Sequence, residues 1–338
     1  MRSTRALAVL SAALIASGLT LAGCGGDDDG PQTAGDEPGR NGDSAVLDTW
    51  PLTGESVPDG ESAAKRHPVL VLKMDNTASS SPQVGLGSAD LVVEELVEGG
   101  VTRLAAFYYS DLPKEAGPVR SMRASDIGIV TPVDGDMVTS GAASVTISRI
   151  KDAGIDFHPE GSPGLYRDSS RYAPYNLFAD LGEVAASIEQ KASRPDDYLP
   201  WGDAADLPKG EPVSTLAASF GGHTTNWAFR KGGYVNDNTY AAQGDEFAAD
   251  SVLVLSVGVG DAGYRDPAGN SVPETQFEGT GPALLFHDGR LVKGTWSKKS
   301  LKSALALKTE AGDKLEVPAG HVWIELLPQT SGGLTFAP

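Results

Sequence analysis

The sequence predicts an α/β N-terminal domain, built on a mixed sheet with a hairpin, followed by a smaller strand-rich C-terminal domain. Before residue 195, apolar runs typical of strands alternate with segments of helical spacing, a pattern typical of α/β folds. Residues 195–212 are rich in Pro and Gly, which indicates a connection. Beyond them, turn signals separate short apolar runs. We therefore expect domains at 46–194 and 213–338.

Composition limits the classes of protein that this chain can belong to. Its 338 residues, 40% of them hydrophobic, are enough for a packed core in one large domain or two ordinary ones. The 27 Lys and Arg against 45 Asp and Glu give a net charge of −18, the wrong sign for covering a phosphate backbone, so we expect no nucleic-acid partner. The single Cys excludes an intramolecular disulfide. The five dispersed His and the lack of cofactor motifs predict no metal site and no cofactor.

The N-terminus has the features of an export signal. Arg2 and Arg5 precede an apolar stretch at 6–22, which predicts a signal peptide at 1–23. The stretch is short for a membrane span, which disfavours an uncleaved anchor. It ends in Leu21-Ala22-Gly23-Cys24, which resembles the lipobox of bacterial lipoproteins, where the Cys thiol takes a diacylglyceryl group and becomes the first mature residue. We expect a lipid anchor with palmitate-type acyl chains at Cys24, on the extracytoplasmic face of the bacterial cell membrane.

Residues 24–45 predict a disordered tether between the lipid and the folded chain. The segment is rich in Gly, Pro, Asp and Glu and has almost no apolar side chains. A flexible coil of this length reaches roughly 25 to 30 Å, which lifts a domain just clear of the lipid headgroups. The membrane is therefore one expected partner, and we expect the target of the folded part to lie near it.

The α/β domain is predicted to begin with a strand and a hairpin. Residues 68–74 form an apolar run that ends at Asp75-Asn76, which predicts a strand. The runs 91–98 and 101–109 flank Gly99-Gly100. Helical spacing competes in the first of these runs, but the glycine pair favours a hairpin with a two-residue turn.

This turn implies a particular register. With two residues in the turn, Leu96 lies opposite Arg103, and Glu98 lies opposite Val101. Because side chains alternate along a strand, Glu94, Glu98 and Arg103 are then expected on one face of the sheet.

Apolar periodicity and capping signals predict the helices of this domain. Asp180 and Glu183 form a capping box before one of them. Gly154 is a stop signal for another, and a short strand is predicted at 137–139. The helices are predicted at 122–130, 144–152 and 181–191.

Turn residues and apolar runs define the second domain. A buried strand is predicted at 252–259, and Asp288-Gly289 predicts a hairpin between 283–287 and 290–292. Large aromatic side chains in strands lie more often in the core than on a sugar-stacking platform, so we favour core positions for Trp227, Trp296 and Trp323.

Several strings resemble a known family in their order and spacing. In the first domain they are 74–76, 82–86, 89–90, 97–103 and 117–123, and in the second they are 286–290, 294–296 and 318–323. Together they are similar to the YerB-like lipoproteins, over about residues 50–328. The family is one of unknown function, so the resemblance implies surface anchoring and two domains, and it implies no reaction.

One position departs from the pattern of that family. Ala173-Pro174-Tyr175-Asn176 stands where the resemblance implies a Pro-His-Asn string. Tyr in place of His weakens any general-base role at position 175.

The segment 117–123 is the candidate binding site. Gly117-Pro118 predicts a fixed turn, and a helix that starts near Ser121 would direct free backbone N–H groups and a positive dipole end at an anion. Arg120 and Arg123 are disfavoured at such a helix start unless a negative partner is present. That partner is either a bound ligand or a carboxylate of the hairpin, as in a structural ion network.

Further polar side chains are expected around these two guanidiniums. Arg103 adds a guanidinium that can bind a carboxylate or phosphate through two hydrogen bonds. Asn76, Gln83 and Asn176 are expected to add polar contacts. The predicted binding residues are Asn76, Gln83, Glu98, Arg103, Arg120, Arg123 and Asn176, and the sequence identifies no catalytic residue.

Three functions are compatible with these residues. The one that we favour is a membrane-anchored module that binds an anionic envelope ligand, either peptidoglycan or a wall polymer. The second is an envelope glycan hydrolase with Glu98 as its acid. For such a hydrolase, Glu94 is a poor second carboxylate, because two pleats along a strand span about 13 Å and catalytic pairs lie roughly 5 to 9.5 Å apart. The third is a structural partner of another exported protein.

Overall fold

Two apolar cores lie against the opposite faces of one large mixed sheet. The computed structural model describes residues 49–266 and 269–338, so the predicted signal peptide, Cys24 and the tether lie outside the described residues. The described residues belong to one compact unit. The structure is strand-rich, with 42% strand and 12% helix, so the predicted α/β class fits only roughly.

The strands are named in chain order. The first seven are β1 (Leu70–Asn76), β2 (Leu91–Leu96), β3 (Thr102–Tyr108), β4 (Asp136–Val138), β5 (Phe157–His158), β6 (Leu165–Arg167) and β7 (Leu177–Ala179). The next seven are β8 (Trp201–Gly202), β9 (Glu211–Pro212), β10 (Thr215–Ser219), β11 (Thr224–Arg230), β12 (Gly233–Asn236), β13 (Ser251–Arg265) and β14 (Ser271–Gln276). The last six are β15 (Gly279–His287), β16 (Arg290–Lys298), β17 (Ala306–Thr309), β18 (Val317–Pro318), β19 (Val322–Pro328) and β20 (Gly333–Ala337).

The helices are short. The α-helices are α1 (Asp126–Val130), α2 (Ser144–Asp152) and α3 (Leu181–Ala186). Single 3-10 turns lie at Ala78–Ser80, Leu86–Ser88, Glu98–Gly100, Thr131–Val133 and Ala204–Asp206.

The large sheet combines strands from both predicted domains. Its order is β17-β16-β15-β13-β19-β2-β3-β1-β4-β5, with β14 paired to β13 and β9 paired to β16. Strand β19 runs parallel to β13 on one side and to β2 on the other. In the segment 195–212, Tyr198 and Leu199 are buried in the first core. The division of the chain into two domains at this segment stays a prediction.

Each face of the sheet has its own core because apolar side chains alternate along the central strands. On β1, Val71 joins the first core, which includes residues of α1 and α2. Leu70 and Leu72 join the second core, between the large sheet and a smaller sheet of order β12-β11-β10-β20. Burial on both faces explains why β1 and β2 read as nearly continuous apolar runs.

The predicted first strand and hairpin are confirmed, but the predicted hairpin register is wrong. Thr102 lies opposite Leu96, and Arg103 lies opposite Glu95. The register shifts by one because the loop contains a 3-10 turn rather than a two-residue turn, with Val97 N donating to Val101 O at 2.9 Å. A shift of one residue moves Glu94 to the opposite face, away from Arg103.

The helix predictions are confirmed in part. Helix α2 has the predicted bounds, and Asp180 caps α3 by accepting from Glu183 N at 3.0 Å. Helix α3 ends at Ala186, well before the predicted end. The helix predicted at 122–130 begins only at Asp126, because Met122 N donates to Gly141 O at 3.1 Å and Arg123 N donates to the Asp126 side chain.

The predictions for the second half of the chain hold closely. Strand β13 contains the predicted buried strand, and β15 and β16 form the predicted hairpin around Asp288-Gly289. Both turn residues have positive φ, at 47° and 65°, as a two-residue turn between twisted strands requires. Trp227, Trp296 and Trp323 are each at most 2% exposed, which confirms their core positions.

Candidate functional site

A cavity of about 390 Å³ lies where the C-terminal end of β1 meets the β2–β3 loop. The chain between β3 and α1 supplies its third wall. The charged and aromatic residues that line it are Asp75, Glu98, Arg103, Arg120, Arg123 and Tyr175. Asp266, in the loop between β13 and β14, also lines it. Four of the predicted binding residues therefore lie around one cavity.

Strand pairing sets these side chains side by side. On adjacent strands, Asp75 of β1 lies opposite Arg103 of β3. The chain at 119–120 runs along β1, where Met74 bridges to Val119 and Arg120 N donates to Lys73 O at 2.7 Å. This path places the Arg120 side chain beside the end of β1.

Arg123 and Glu98 form a bidentate ion pair across the cavity wall. Arg123 Nε lies 3.0 Å from Glu98 Oε1, and Arg123 Nη2 lies 2.8 Å from Oε2. The two side chains are 11% and 10% exposed. Both oxygens of the carboxylate are thus occupied.

Arg120 is held by a carboxylate and an aromatic ring. Its Nε lies 2.9 Å from Asp75 Oδ2, and its guanidinium lies 5.2 Å from the centre of the Tyr175 ring. The other oxygen of Asp75 accepts from Thr77 N at 3.1 Å. Asp75 is therefore also fully engaged.

Arg103 lacks such a carboxylate partner. It is 8% exposed, and its Nη1 donates to Ser121 O at 2.7 Å. Within the described residues, none of the ion pairs closer than 4.0 Å includes Arg103. Burial lowers the pKa of Arg103 to about 10, helped by the positive charges of Arg123 and Arg120, and the carboxylates of Glu98 and Asp75 offset only part of this.

The predicted helix N-terminus is not part of this site. Arg120 and Arg123 both precede α1, and their backbone N–H groups are already used. Arg123 N donates to Asp126 Oδ2 at 2.6 Å. The prediction of an anion site made by free backbone N–H groups is therefore wrong, and the guanidiniums are what the cavity offers.

Three predicted binding residues lie away from the cavity. Gln83 is fully buried and donates to Asp75 O at 2.7 Å and to Asn76 Oδ1 at 3.1 Å. Asn76 in turn donates to Glu94 Oε1 at 3.1 Å. These two amides support the end of β1 from within. Asn176 instead accepts from Arg167 and donates to backbone carbonyls of its own loop.

The β2–β3 loop, which carries Glu98, is hydrogen-bonded to the second half of the chain. Gly222 N, in the β10–β11 turn, donates to Gly100 O at 2.8 Å. A Cβ on Gly222 would lie 2.8 Å from Gly99 O, so the two loops meet backbone to backbone. This contact fixes the turn that carries Glu98.

A buried charged triad, which was not predicted from the sequence, lies behind the cavity. Lys73 Nζ lies 2.7 Å from Glu95 Oε1 and 2.8 Å from Asp126 Oδ1, with all three side chains fully buried. Burial raises the pKa of Glu95 to about 7, and Asp126 adds to this, although Lys73 opposes it. The sequence signal that could have predicted this triad is a lysine and glutamates inside apolar strands, because such side chains are seldom buried without partners.

A second buried carboxyl group was also missed. Glu325 of β19 lies opposite Glu94 of β2, and both are fully buried. Trp227 Nε1 donates to Glu325 Oε1 at 2.8 Å, and Trp323 Nε1 donates to Glu94 Oε2 at 3.2 Å. Burial and the neighbouring Glu94 raise the pKa of Glu325 well above its ordinary value.

The chain belongs to a family described as protein of unknown function (DUF3048). Its N-terminal domain matches residues 52–194, and its C-terminal domain matches residues 215–324. The family resemblance predicted from the sequence is thereby confirmed.

The chain is also similar to a protein of Bacillus subtilis. The chain is 24% identical over 292 residues to "Putative lipoprotein YerB" of strain 168, across 82% of this chain and 86% of that protein. The crystal structure of YerB protein from Bacillus subtilis has a TM-score of 0.70 and 20% identity, over 85% of this chain and 99% of that one. This second likeness establishes a shared fold. Of the helices in the described residues, none has the length and apolar character to cross a membrane.

The Glu98–Arg123 pair predicts strong coupling between two substitutions. Arg123→Ala leaves Glu98 nearly buried without a partner and should lower the free energy of unfolding by about 3 kcal/mol. Adding Glu98→Gln should recover at least about 1 kcal/mol, measured by urea unfolding of both single variants and the double variant. Arg230→Ala is the control, because the Arg230–Asp237 pair is 57% and 40% exposed and should contribute less than about 1 kcal/mol. Additive effects at Glu98 and Arg123 would contradict the prediction.

The buried Glu325 predicts that stability falls as pH rises. Its pKa is raised in the folded protein, so the folded state binds more protons than the unfolded chain above about pH 4.5. The free energy of unfolding should then decrease as pH rises through the raised pKa. Glu325→Gln keeps the acceptor for Trp227 and cannot ionise, so urea unfolding between about pH 5 and 8 should show a smaller decrease.

The matched control for this pH series is Glu211→Gln, whose side chain is 61% exposed. This variant should follow the wild-type curve. Glu95 should still produce part of the decrease, because its own pKa is raised to about 7. An unchanged slope in Glu325→Gln would show that Glu325 is ionised in the folded protein across this range.

Proposed function

We propose that this chain is a membrane-anchored lipoprotein on the extracytoplasmic face of the bacterial cell membrane. We further propose that it binds an anionic cell-envelope ligand, peptidoglycan or a wall polymer, in the cavity lined by Arg103, Arg120 and Arg123. The observation that carries the second proposal is that Arg103 lines the cavity, is 8% exposed and, in the described part of the chain, has no ion pair closer than 4.0 Å.

A buried cation is costly unless an anion compensates it. The carboxylates of Glu98 and Asp75 act on Arg103 electrostatically, but each is engaged by another guanidinium. A ligand carboxylate or phosphate beside Arg103 would supply the missing charge. The planar guanidinium favours oxyanions that accept two parallel hydrogen bonds.

The three arginines have different roles in this proposal. Arg123 is fully committed to Glu98 and shapes the wall. Arg120 is held through its Nε and is 20% exposed, so its outer nitrogens can contact a ligand. Arg103 and Arg120 are therefore the residues expected to touch the anion.

The alternative of a glycan hydrolase has less support. Glu98 was the candidate acid, and both of its oxygens are occupied by Arg123. A general acid needs an oxygen that can reach the leaving group. The buried Glu94 and Glu325 are covered by Trp323 and Trp227 and do not line the cavity.

The proposed anchoring rests on the predicted lipobox and on the name of the relative. Cys24→Ser removes the thiol that would carry the lipid. Fractionation of cells that express the full chain should show the wild type in the membrane fraction and the variant as soluble protein or precursor. Cys24→Ser protein that stays in the membrane fraction with its signal removed would contradict the proposal.

The proposed binding predicts that Arg103→Gln separates affinity from stability. A hydrogen bond to a charged group contributes about 1.5–3 kcal/mol, so binding of the full chain to purified peptidoglycan or wall polymer should weaken about 10- to 100-fold. Stability should change by less than about 1 kcal/mol, because no ion pair is broken.

Pull-down of the full chain at several salt concentrations measures this binding. Arg230→Gln, which changes an exposed arginine outside the cavity, is the control and should bind as the wild type does. Equal binding by Arg103→Gln and wild type would overturn the binding site. Wild-type protein without affinity for either material would favour a role as structural partner of another exported protein.

A further inference from the structure

Tyr172 is the most exposed large aromatic side chain in the described residues. It is 89% exposed, whereas the other exposed large apolar and aromatic side chains are 41% or 42% exposed. Burial of aromatic surface stabilises a folded protein, and Tyr172 lacks this contribution. It lies in the loop between β6 and β7, the loop that also supplies Tyr175 to the cavity wall.

The loop that carries Tyr172 is fixed on both sides of it. Arg171 Nη2 donates to Ser80 O at 2.7 Å and to Pro82 O at 3.0 Å. Tyr175 N donates to Tyr172 O at 2.9 Å, which closes a tight turn. The Tyr175 ring then lies against the Arg120 guanidinium. An exposed ring on an anchored turn loses little conformational entropy on binding.

We propose that the anionic ligand is an acidic glycan, whose sugar ring stacks on Tyr172 while its acidic group contacts Arg103 and Arg120. This inference rests on the proposed anion site and names the class of molecule that the site takes. A tyrosine offers a flat apolar face with a polar tip, which suits the C–H face of a sugar and its hydroxyl groups.

An extended peptide fits the cavity less well. Peptide strands are commonly bound by pairing with a free sheet edge. The strands at this cavity, β1, β2 and β3, are all internal, because each has a neighbour on both sides. The lining contains Val97 and Val101 as its apolar residues among charged and hydroxyl side chains, so it lacks a deep apolar pocket for a side chain.

The acidic group can be a carboxylate or a phosphate, since guanidiniums bind both. Three probes separate these sources from a peptide: a trisaccharide of galacturonic acid, a phosphorylated maltotriose and hexaglutamate. Binding of each to the full chain in detergent is measured by isothermal titration calorimetry. At least one acidic trisaccharide should bind about 10-fold more tightly than hexaglutamate.

Tyr172→Ala tests the stacking directly. It should weaken the favoured trisaccharide about 3- to 10-fold, the range expected for one aromatic contact, and should leave hexaglutamate binding unchanged. Phe336→Ala is the matched control, because Phe336 is 42% exposed and lies on β20 of the smaller sheet. It should not change the affinity for any probe.

The outcomes distinguish the failure of the glycan proposal from the failure of the proposed anion site on which it rests. If Arg103→Gln weakens wall binding while Tyr172→Ala binds both trisaccharides as the wild type does, the anion site stands and the proposal of a glycan stacked on Tyr172 is overturned. Tighter binding of hexaglutamate would identify a peptide ligand and would also overturn it. Failure of every probe and of purified wall to bind would overturn the anion site itself.

Discussion

The parallel pairing of β2 with β19 is the constraint on which most of this structure depends. Strand β2 lies in the N-terminal part of the family and β19 begins at the end of the C-terminal part, and their pairing makes one sheet of both. It also brings Glu94 against Glu325 in the interior. Two adjacent buried carboxyl groups need donors, and Trp227 and Trp323 supply them. The smaller sheet, which carries Trp227, therefore has to cover this point.

The same strand explains the cavity on the other face. Glu95 follows Glu94 and points to the face of the first core, where Lys73 pairs with both Glu95 and Asp126. Asp126 is the first residue of α1, so the triad fixes where that helix begins. The chain before it must cross the end of β1, and this crossing delivers Arg120 and Arg123 to the cavity. A structural ion network and a candidate ligand site are thus adjacent parts of one arrangement.

Local signals in the sequence predicted most strands. Apolar runs predicted β1 and β13, and Asp288-Gly289 predicted the β15–β16 hairpin, because these features depend on neighbouring residues. The order of the strands could not be predicted in this way. Pairing of β19 between β13 and β2 depends on residues far apart in the sequence.

The sequence predicted which residues form the candidate site, but it did not predict the interactions that bring them together. Glu98, Arg103, Arg120 and Arg123 do lie together, yet the helix N-terminus expected to organise them is absent from that stretch. Contacts distant in sequence decide the path of this stretch, since Arg120 N donates to Lys73 O and Met122 N donates to Gly141 O. The triad and the Glu94–Glu325 pair escaped prediction because their partners come from other strands and from a helix start.

The close contact between Gly100 and Gly222 has a consequence for how such proteins diversify. A Cβ on Gly100 would lie 2.8 Å from Gly222 N, and one on Gly222 would lie 2.8 Å from Gly99 O. Neither loop can change length or gain a side chain unless the other moves as well. The two family-defined halves are therefore poor candidates for exchange between lineages as interchangeable modules, and variation at the cavity mouth is expected to arise in both halves in concert.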